Sequence, residues 1–169
     1  MDPIQALIQF LEGLSSDPVA YSIVFFIYAV AATVFLPIPV EIGLFFSPET
    51  SIVVKALILG AGKAVGSVIV FKLGDRLGSG LTGWAMNHRL FRGFMSLMRR
   101  FVARTRYLGL YIILSIPLMV DTVPVYLFAL FNQKGVMKLR YFAATNFFSG
   151  ITRAALVYGI AVAFGIRLV

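Results

Sequence analysis

Residues 35–46 have the sequence FLPIPVEIGLFF, and this stretch decides the fold of the chain. Pro37 and Pro39 each remove a backbone donor, so they stop the apolar helix predicted over the preceding residues. Glu41 follows at once, and the apolar piece after it is far shorter than the ~20 residues that span a bilayer. A helix, a break and a short second piece predict a re-entrant hairpin over residues 18–46.

The composition is that of an integral membrane protein with one membrane domain over residues 1–169. Hydrophobic residues make up 60% of the chain and charged residues 13%, where a soluble domain carries about a quarter charged residues. The mean hydropathy is +0.93. Too little polar surface exists to cover a water-soluble globule, so lipid must cover the remainder.

A second broken segment follows in the other half of the chain. The apolar run that begins at residue 107 contains Pro117 and is interrupted by DTVP at residues 121–124. The stretch PVYLFALF (124–131) aligns without gaps to PVEIGLFF (39–46), with the same Pro, Val and final Phe. This pattern predicts a second re-entrant hairpin over residues 107–132.

Each hairpin is followed by a predicted membrane-crossing helix, over residues 51–77 and 137–166, with a loop predicted at 79–83. Residues 1–50 contain no Lys or Arg, whereas later stretches are basic. Because Lys and Arg collect on the cytoplasmic side, the basic stretches are predicted to be cytoplasmic and the two halves inverted. We therefore predict an all-α inverted repeat of hairpin plus helix, in which the breaks meet at a transport site.

Two amphipathic segments are predicted to lie on the membrane surface. Residues 1–17 lack Lys and Arg, which favours an interfacial helix over a cleavable signal peptide. Residues 84–106 form a basic amphipathic segment, for which an ordinary cytoplasmic loop helix is the alternative; His88 is interpreted as an interfacial residue. The arginines predicted to contact anionic lipid are Arg89, Arg92, Arg99, Arg100 and Arg104. The net charge of +8 fits this membrane surface, and no nucleic acid is expected.

Ionisable residues inside the apolar segments are the candidate substrate- or ion-binding residues, because each would be costly there without a partner. They are Glu41, Asp121 and Arg153, with Asn146 on the Arg153 face and Lys55 on the following helix. The alternatives are that the acids only cap broken backbone and that Arg153 forms a structural salt bridge. Lys63 and Lys72 are predicted to snorkel or to line a cavity.

Prolines and glycines are given structural roles. The re-entrant breaks are predicted at Pro37, Pro39, Pro117 and Pro124. Close helix packing is predicted at Gly62, Gly66, Gly74, Gly78 and Gly150. The chain has no cysteine, no phosphate-binding Gly loop, no His-rich metal pattern and no nucleophile motif, so neither an enzyme nor a bound metal or cofactor is predicted.

These residues resemble the DedA family of VTT-domain membrane proteins, over roughly residues 30–165. FLPIPVEI (35–42) is similar to the first re-entrant loop of that family, and the glycines from Gly62 to Gly78 are similar to its Gly-rich helix. Pro117 and Pro124 keep the spacing of its second loop. At the two loop positions where that family usually carries arginine, this chain has Leu114 and Val120. At the position of the family's usual acidic residue it has Ser67.

The resemblance implies movement of a lipid or lipid-linked phosphate, of flippase or scramblase type, with proton coupling in some members. In this interpretation Arg153 replaces the missing loop arginines, and one of the two acids stays free to take a proton. An exporter of small cationic or amphipathic molecules and a membrane scaffold acting through residues 84–106 are the alternatives. The oligomeric state stays open, with a homo-oligomer among the options.

Overall fold

The computed structural model describes residue 5 and residues 17–36, 38–47, 50–85, 89–132, 135 and 137–164; for 75–85 and 89–99 it describes the backbone only. All regular structure in these ranges is helical, without a strand, which confirms the predicted all-α class. Pro37 and His88 lie outside the described residues. So does the predicted helix over residues 1–17, apart from residues 5 and 17.

In the part of the chain that the structure describes, five α-helices and one short 3₁₀ helix follow one another. In order they are α1 (Pro18–Val34), the 3₁₀ helix (Val40–Phe45), α2 (Ile52–Ala85), α3 (Arg89–Ser115), α4 (Thr122–Leu130) and α5 (Leu139–Ala163). Asp17 caps α1, since its carboxylate accepts hydrogen bonds from the N–H groups of Val19 and Ala20.

Helix α2 is longer than the sequence indicated. It was predicted to end near Leu77 and to be followed by a loop at 79–83, but it continues to Ala85 as a helix of 34 residues. A glycine inside a helix costs only about 1 kcal/mol relative to alanine, and no proline lies in this stretch. The glycines therefore did not suffice to end the helix.

Two described helices are long and apolar enough to cross a membrane: Ile52–Gly74 within α2, and α5. Their outward faces carry large apolar side chains, among them Val53, Leu57, Phe148 and Leu156, each at least 42% exposed. Helix α1 is also apolar but shorter, with Ile23 and Ile27 more than half exposed. Apolar faces of this extent are suited to contact with lipid rather than water.

Helix α2 lies at the centre of the molecule and uses glycines on different faces to contact three neighbours. Gly62 and Gly66 lie against α1, where a Cβ would come within 2.5 Å of Ala29 Cβ and 2.7 Å of Thr33 Cβ. Gly74 lies equally close to Ala129 of α4.

The contact between α2 and α5 depends on a different pair of glycines. A Cβ on Gly150 would lie 2.8 Å from the Cα of Gly60 and 3.2 Å from the Cδ of Lys63. Gly150, which was predicted as a close-packing residue, thus lies directly against α2. Gly60 was not predicted, because it lies off the four-residue spacing that singled out Gly62 and Gly66.

Helix α3 bends at Arg106, whose φ of 46° and ψ of −132° are not helical. The bend separates the basic amphipathic residues from the apolar run that begins at Tyr107. Before the bend, Val102 is buried against the molecule while Phe101, Arg100 and Arg104 are exposed. The cationic side chains at this end of the described segment are therefore free to contact a surface.

Candidate functional site

The breaks in the two halves of the chain lie side by side. Glu41 is in the first turn of the 3₁₀ helix, and Asp121 directly precedes α4. The Leu118 N–H donates to Glu41 Oε1 at 2.9 Å. The Thr122 hydroxyl donates to the carbonyls of Ala32 and Leu36, at 2.8 and 3.3 Å. Side chains from each break thus satisfy backbone groups that the other break leaves open.

Four ionisable side chains meet at this point, and we call them the charge cluster: Glu41, Lys63, Asp121 and Arg153. Arg153 contacts both acids, with Nη1 3.2 Å from Glu41 Oε1 and Nη2 2.9 Å from Asp121 Oδ1. Lys63 Nζ lies 3.2 Å from Asp121 Oδ2. All four residues are at most 2% exposed. Two positive and two negative groups make the cluster formally neutral.

Lys63 was the residue that sequence reasoning left out of the site. Its position near the middle of an apolar span is the signal that could have found it, since snorkelling explains a cation only near a helix end. Its presence also changes the predicted charge balance. Two acids and one arginine would leave a carboxylate in excess, but Lys63 supplies the fourth charge.

Main-chain carbonyls complete the coordination of the two cations. The Leu114 carbonyl, in the last turn of α3, accepts from Arg153 Nε at 2.8 Å and from Lys63 Nζ at 3.2 Å. The Met119 carbonyl accepts from Arg153 Nη1 at 2.9 Å. The last carbonyls of a helix have no intrahelical partner and carry partial negative charge, so a helix end suits two cations.

One carboxylate oxygen is left over. Glu41 Oε2 is buried and has no hydrogen-bond partner among the described residues. Asp121 Oδ2 and Arg153 Nη2 also lack hydrogen-bond geometry, but each has an oppositely charged atom within 3.2 Å. Among the described residues, Glu41 therefore presents the carboxylate oxygen that has no cation or hydrogen-bond donor beside it.

The other predicted site residues lie apart from the charge cluster. Asn146 is buried on α5, where its side chain donates to the Phe142 carbonyl. Lys55 is buried near the start of α2, and its Nζ donates to the Leu44 carbonyl at 3.1 Å. Eight residues separate Lys55 from Lys63, about 12 Å along a helix axis. Among the described residues, Lys55 forms no ion pair with the cluster, and Asn146 forms no hydrogen bond with it.

The predicted break and packing residues take several positions. Pro117 lies in the turn after α3, Pro124 is buried in the first turn of α4, and Pro39 precedes the 3₁₀ helix. The structure does not describe the side chains of Arg89, Arg92 and Arg99 or the surroundings of Gly78.

Comparison with family models, curated proteins and solved structures finds no match for this chain.

Proposed function

We propose that the chain is an integral membrane transporter that moves a lipid or lipid-linked phosphate, with the charge cluster as its anion-binding and proton-binding site. The observation that carries the proposal is the burial of four charged side chains where two broken segments meet, inside an otherwise apolar molecule. Ionisable residues in membrane segments mark substrate or proton pathways by default.

Segment lengths support two re-entrant hairpins in an inverted repeat. Helix α1, with 17 residues, extends about 26 Å, and α4, with nine, about 13 Å. Both are shorter than the ~30 Å hydrocarbon core. The span within α2 and helix α5, with 23 and 25 residues, exceed it. The short elements carry the breaks, and the long ones each follow a hairpin.

A purely structural role explains the cluster poorly. Removing charges from water costs several kcal/mol per ion, and a buried ion network often stabilises a protein no better than apolar side chains of similar volume. Fully buried apolar side chains, such as Leu44, Leu59 and Leu110, show that this chain can build a core without charges.

The transport step that we propose is an exchange of partners. A phosphate group that reaches Arg153 and Lys63 competes with Glu41 and Asp121 for the same donors. A carboxylate that loses its cation in a buried site then takes a proton from water, so that phosphate binding and proton uptake are coupled. Because the four residues are closed off from solvent, one hairpin must move to admit the phosphate.

The position of Arg153 supports its assignment as the substitute for the loop arginines of the DedA family. Its guanidinium reaches the Leu114 and Met119 carbonyls of the second break, next to the positions where that family carries arginine. Helix α5 thus supplies a guanidinium to the loop in which the resemblance places the phosphate site.

The test is lipid flipping in proteoliposomes that contain the purified chain. A fluorescent anionic phospholipid is placed in both leaflets, and a membrane-impermeant quencher reports movement at several pH values. We expect Arg153→Gln and Lys63→Gln to abolish flipping, and Glu41→Gln to remove its pH dependence. Lys72→Gln removes an exposed cation from the same helix as Lys63 and is the matched control. Normal rate and pH dependence in folded Arg153→Gln would falsify this function.

A second candidate function is export of small amphipathic cations. Glu41 Oε2 favours it, because this buried carboxylate oxygen has no hydrogen-bond partner within the described ranges and can accept a cation directly. Uptake of a fluorescent cationic dye into the same vesicles separates the two functions. Dye movement that requires Glu41, without lipid flipping, identifies the exporter, and movement of neither substrate favours a scaffold.

A further inference from the structure

An open apolar cavity of about 740 Å³ lies between α3 and α5 at the surface of the molecule. This volume falls within the ~300–1,000 Å³ of small-molecule sites. Its walls include Leu108 of α3 and Ala144, Phe148 and Ile151 of α5. Leu108 is 69% exposed and Phe148 58% exposed, so these walls are covered by no other described part of the chain. We call this cavity the α3–α5 groove.

The two ends of the α3–α5 groove differ in chemistry. At one end the rings of Tyr107 and Tyr141 lie 5.8 Å apart, and the Arg140 guanidinium is 4.7 Å from the centre of the Tyr141 ring. The Tyr107 hydroxyl accepts from the Lys138 N–H at 2.6 Å. Lys138 and Arg140 are exposed. This end therefore has an aromatic and cationic rim.

The other end is closed by side chains of both helices. The hydroxyls of Tyr111 and Thr152 share a hydrogen bond at 2.6 Å across the groove. Eleven residues of α5 separate Tyr141 at the rim from Thr152 at the closed end, about 16 Å along the axis. That is close to half of the ~30 Å hydrocarbon core. The groove thus has the depth of one leaflet.

We propose that the α3–α5 groove binds an anionic phospholipid of the cytoplasmic leaflet, with an acyl chain against the apolar walls and the headgroup phosphate at Lys138 and Arg140. Three observations converge on this occupant. The walls are apolar, the rim joins tyrosines to cations as residues at a membrane interface do, and the cations complement the charge of the headgroup.

The binding rests on the membrane insertion that the proposed function requires, but not on transport. The groove ends at Thr152, next to Arg153 in the chain, while Arg153 itself is buried on the inner face of α5. A lipid held there lies beside the charge cluster without touching it. Labelling of the groove and lipid flipping are separate measurements, so either proposal can fail alone.

The experiment is photo-crosslinking of the purified full chain in lipid nanodiscs. The probe is a phosphatidylglycerol with a diazirine in the middle of one acyl chain, compared with the phosphatidylcholine that carries the same acyl chain. Crosslinked residues are mapped by mass spectrometry. We expect phosphatidylglycerol to label Phe148 and Ile151 preferentially, and its preference over phosphatidylcholine to fall roughly fivefold for each cation removed in Lys138→Gln and Arg140→Gln.

Two tryptophan variants of α5 test the groove itself. Ala144→Trp fills it and should abolish the labelling, whereas Ala155→Trp adds the same side chain at an exposed position outside the groove and should not. Equal labelling by both lipids, or labelling spread evenly over α1, α2 and α5, overturns the proposal. So does a disulfide between two copies of a Phe148→Cys variant, which would assign the groove to an oligomer interface. If Ala144→Trp does not fold, the comparison of the two lipids on the unmodified chain still tests the proposal.

Discussion

At the residue scale, Asp121 is the centre of the charge cluster. Both of its carboxylate oxygens lie 3.2 Å from Lys63 Nζ, and Oδ1 also lies 2.9 Å from Arg153 Nη2. Arg153 in turn reaches Glu41. All four residues are buried, so contact with bulk water does not replace a lost partner. The energy of the cluster therefore depends on its charge balance more than on any single contact.

We expect Lys63→Met to destabilise the folded chain by about 3–5 kcal/mol, because it leaves a buried negative charge in excess. Unfolding free energies in mixed micelles measure the change. Lys72→Met, at an exposed position of the same helix, should cost less than about 0.5 kcal/mol.

The double variant Lys63→Met/Asp121→Asn should be more stable than Lys63→Met alone, since it restores neutrality. A double-mutant cycle over the four proteins yields the coupling between the two residues. Simple addition of the two single losses would show that Lys63 and Asp121 act independently, against the charge-balance account.

At the element scale, the approach of α2 to α5 depends on Gly60 and Gly150. We expect Gly150→Ala to destabilise the chain by about 1–3 kcal/mol, because the new methyl group meets the backbone of Gly60, which cannot rotate away. Thermal unfolding measures the loss.

Gly159→Ala is the matched control for this prediction, as the same substitution in the same helix. A Cβ at Gly159 meets nothing within 4 Å, so the change should stabilise α5 by up to about 1 kcal/mol. Equal effects at the two positions would mean that helix propensity, and not the close contact, decides both.

The basic segment before the bend in α3 carries the second prediction at this scale. A peptide of residues 84–106 should partition into anionic vesicles far more strongly than into neutral ones, by about 1 kcal/mol for each arginine that reaches the surface. Tryptophan fluorescence of Trp84 reports the binding. Salt should weaken the anionic binding only, and equal partitioning into both vesicle types would contradict an electrostatic contribution.

Much of the element pattern could be predicted, because its causes are local. A proline removes a donor wherever it lies, and an ionisable group in an apolar run is visible without knowing its partner. Glu41, Asp121 and Arg153 were predicted as site residues in this way. The partners were not visible, since Asp121 is 58 residues from Lys63. The end of α2 was missed because three glycines weaken a helix without forbidding it.

At the scale of the whole molecule, the inverted topology that we propose makes a prediction about sidedness. The natural sequence has no cysteine, so single cysteines are unique targets. Ser51→Cys should react with a membrane-impermeant maleimide from the side opposite to Ala103→Cys and Lys138→Cys, all at exposed positions. Intact, oriented vesicles labelled before and after permeabilisation distinguish the sides. Reaction of Ala103→Cys and Lys138→Cys from opposite sides would mean that residues 107–132 cross the membrane completely.

The Leu114 carbonyl, which holds both cations, has a consequence for mutational mapping. Every amino acid supplies the same oxygen at this position, so a scan of residue 114 would score only the apolar packing of its side chain. Substitutions at residue 114 would therefore not report the electrostatic contribution of its carbonyl oxygen. Chemical synthesis can expose it: an ester in place of the amide between residues 114 and 115 makes that oxygen a poorer acceptor while leaving all side chains intact. Where main-chain oxygens hold part of a site, the sequence at those positions can thus change while the contacts remain.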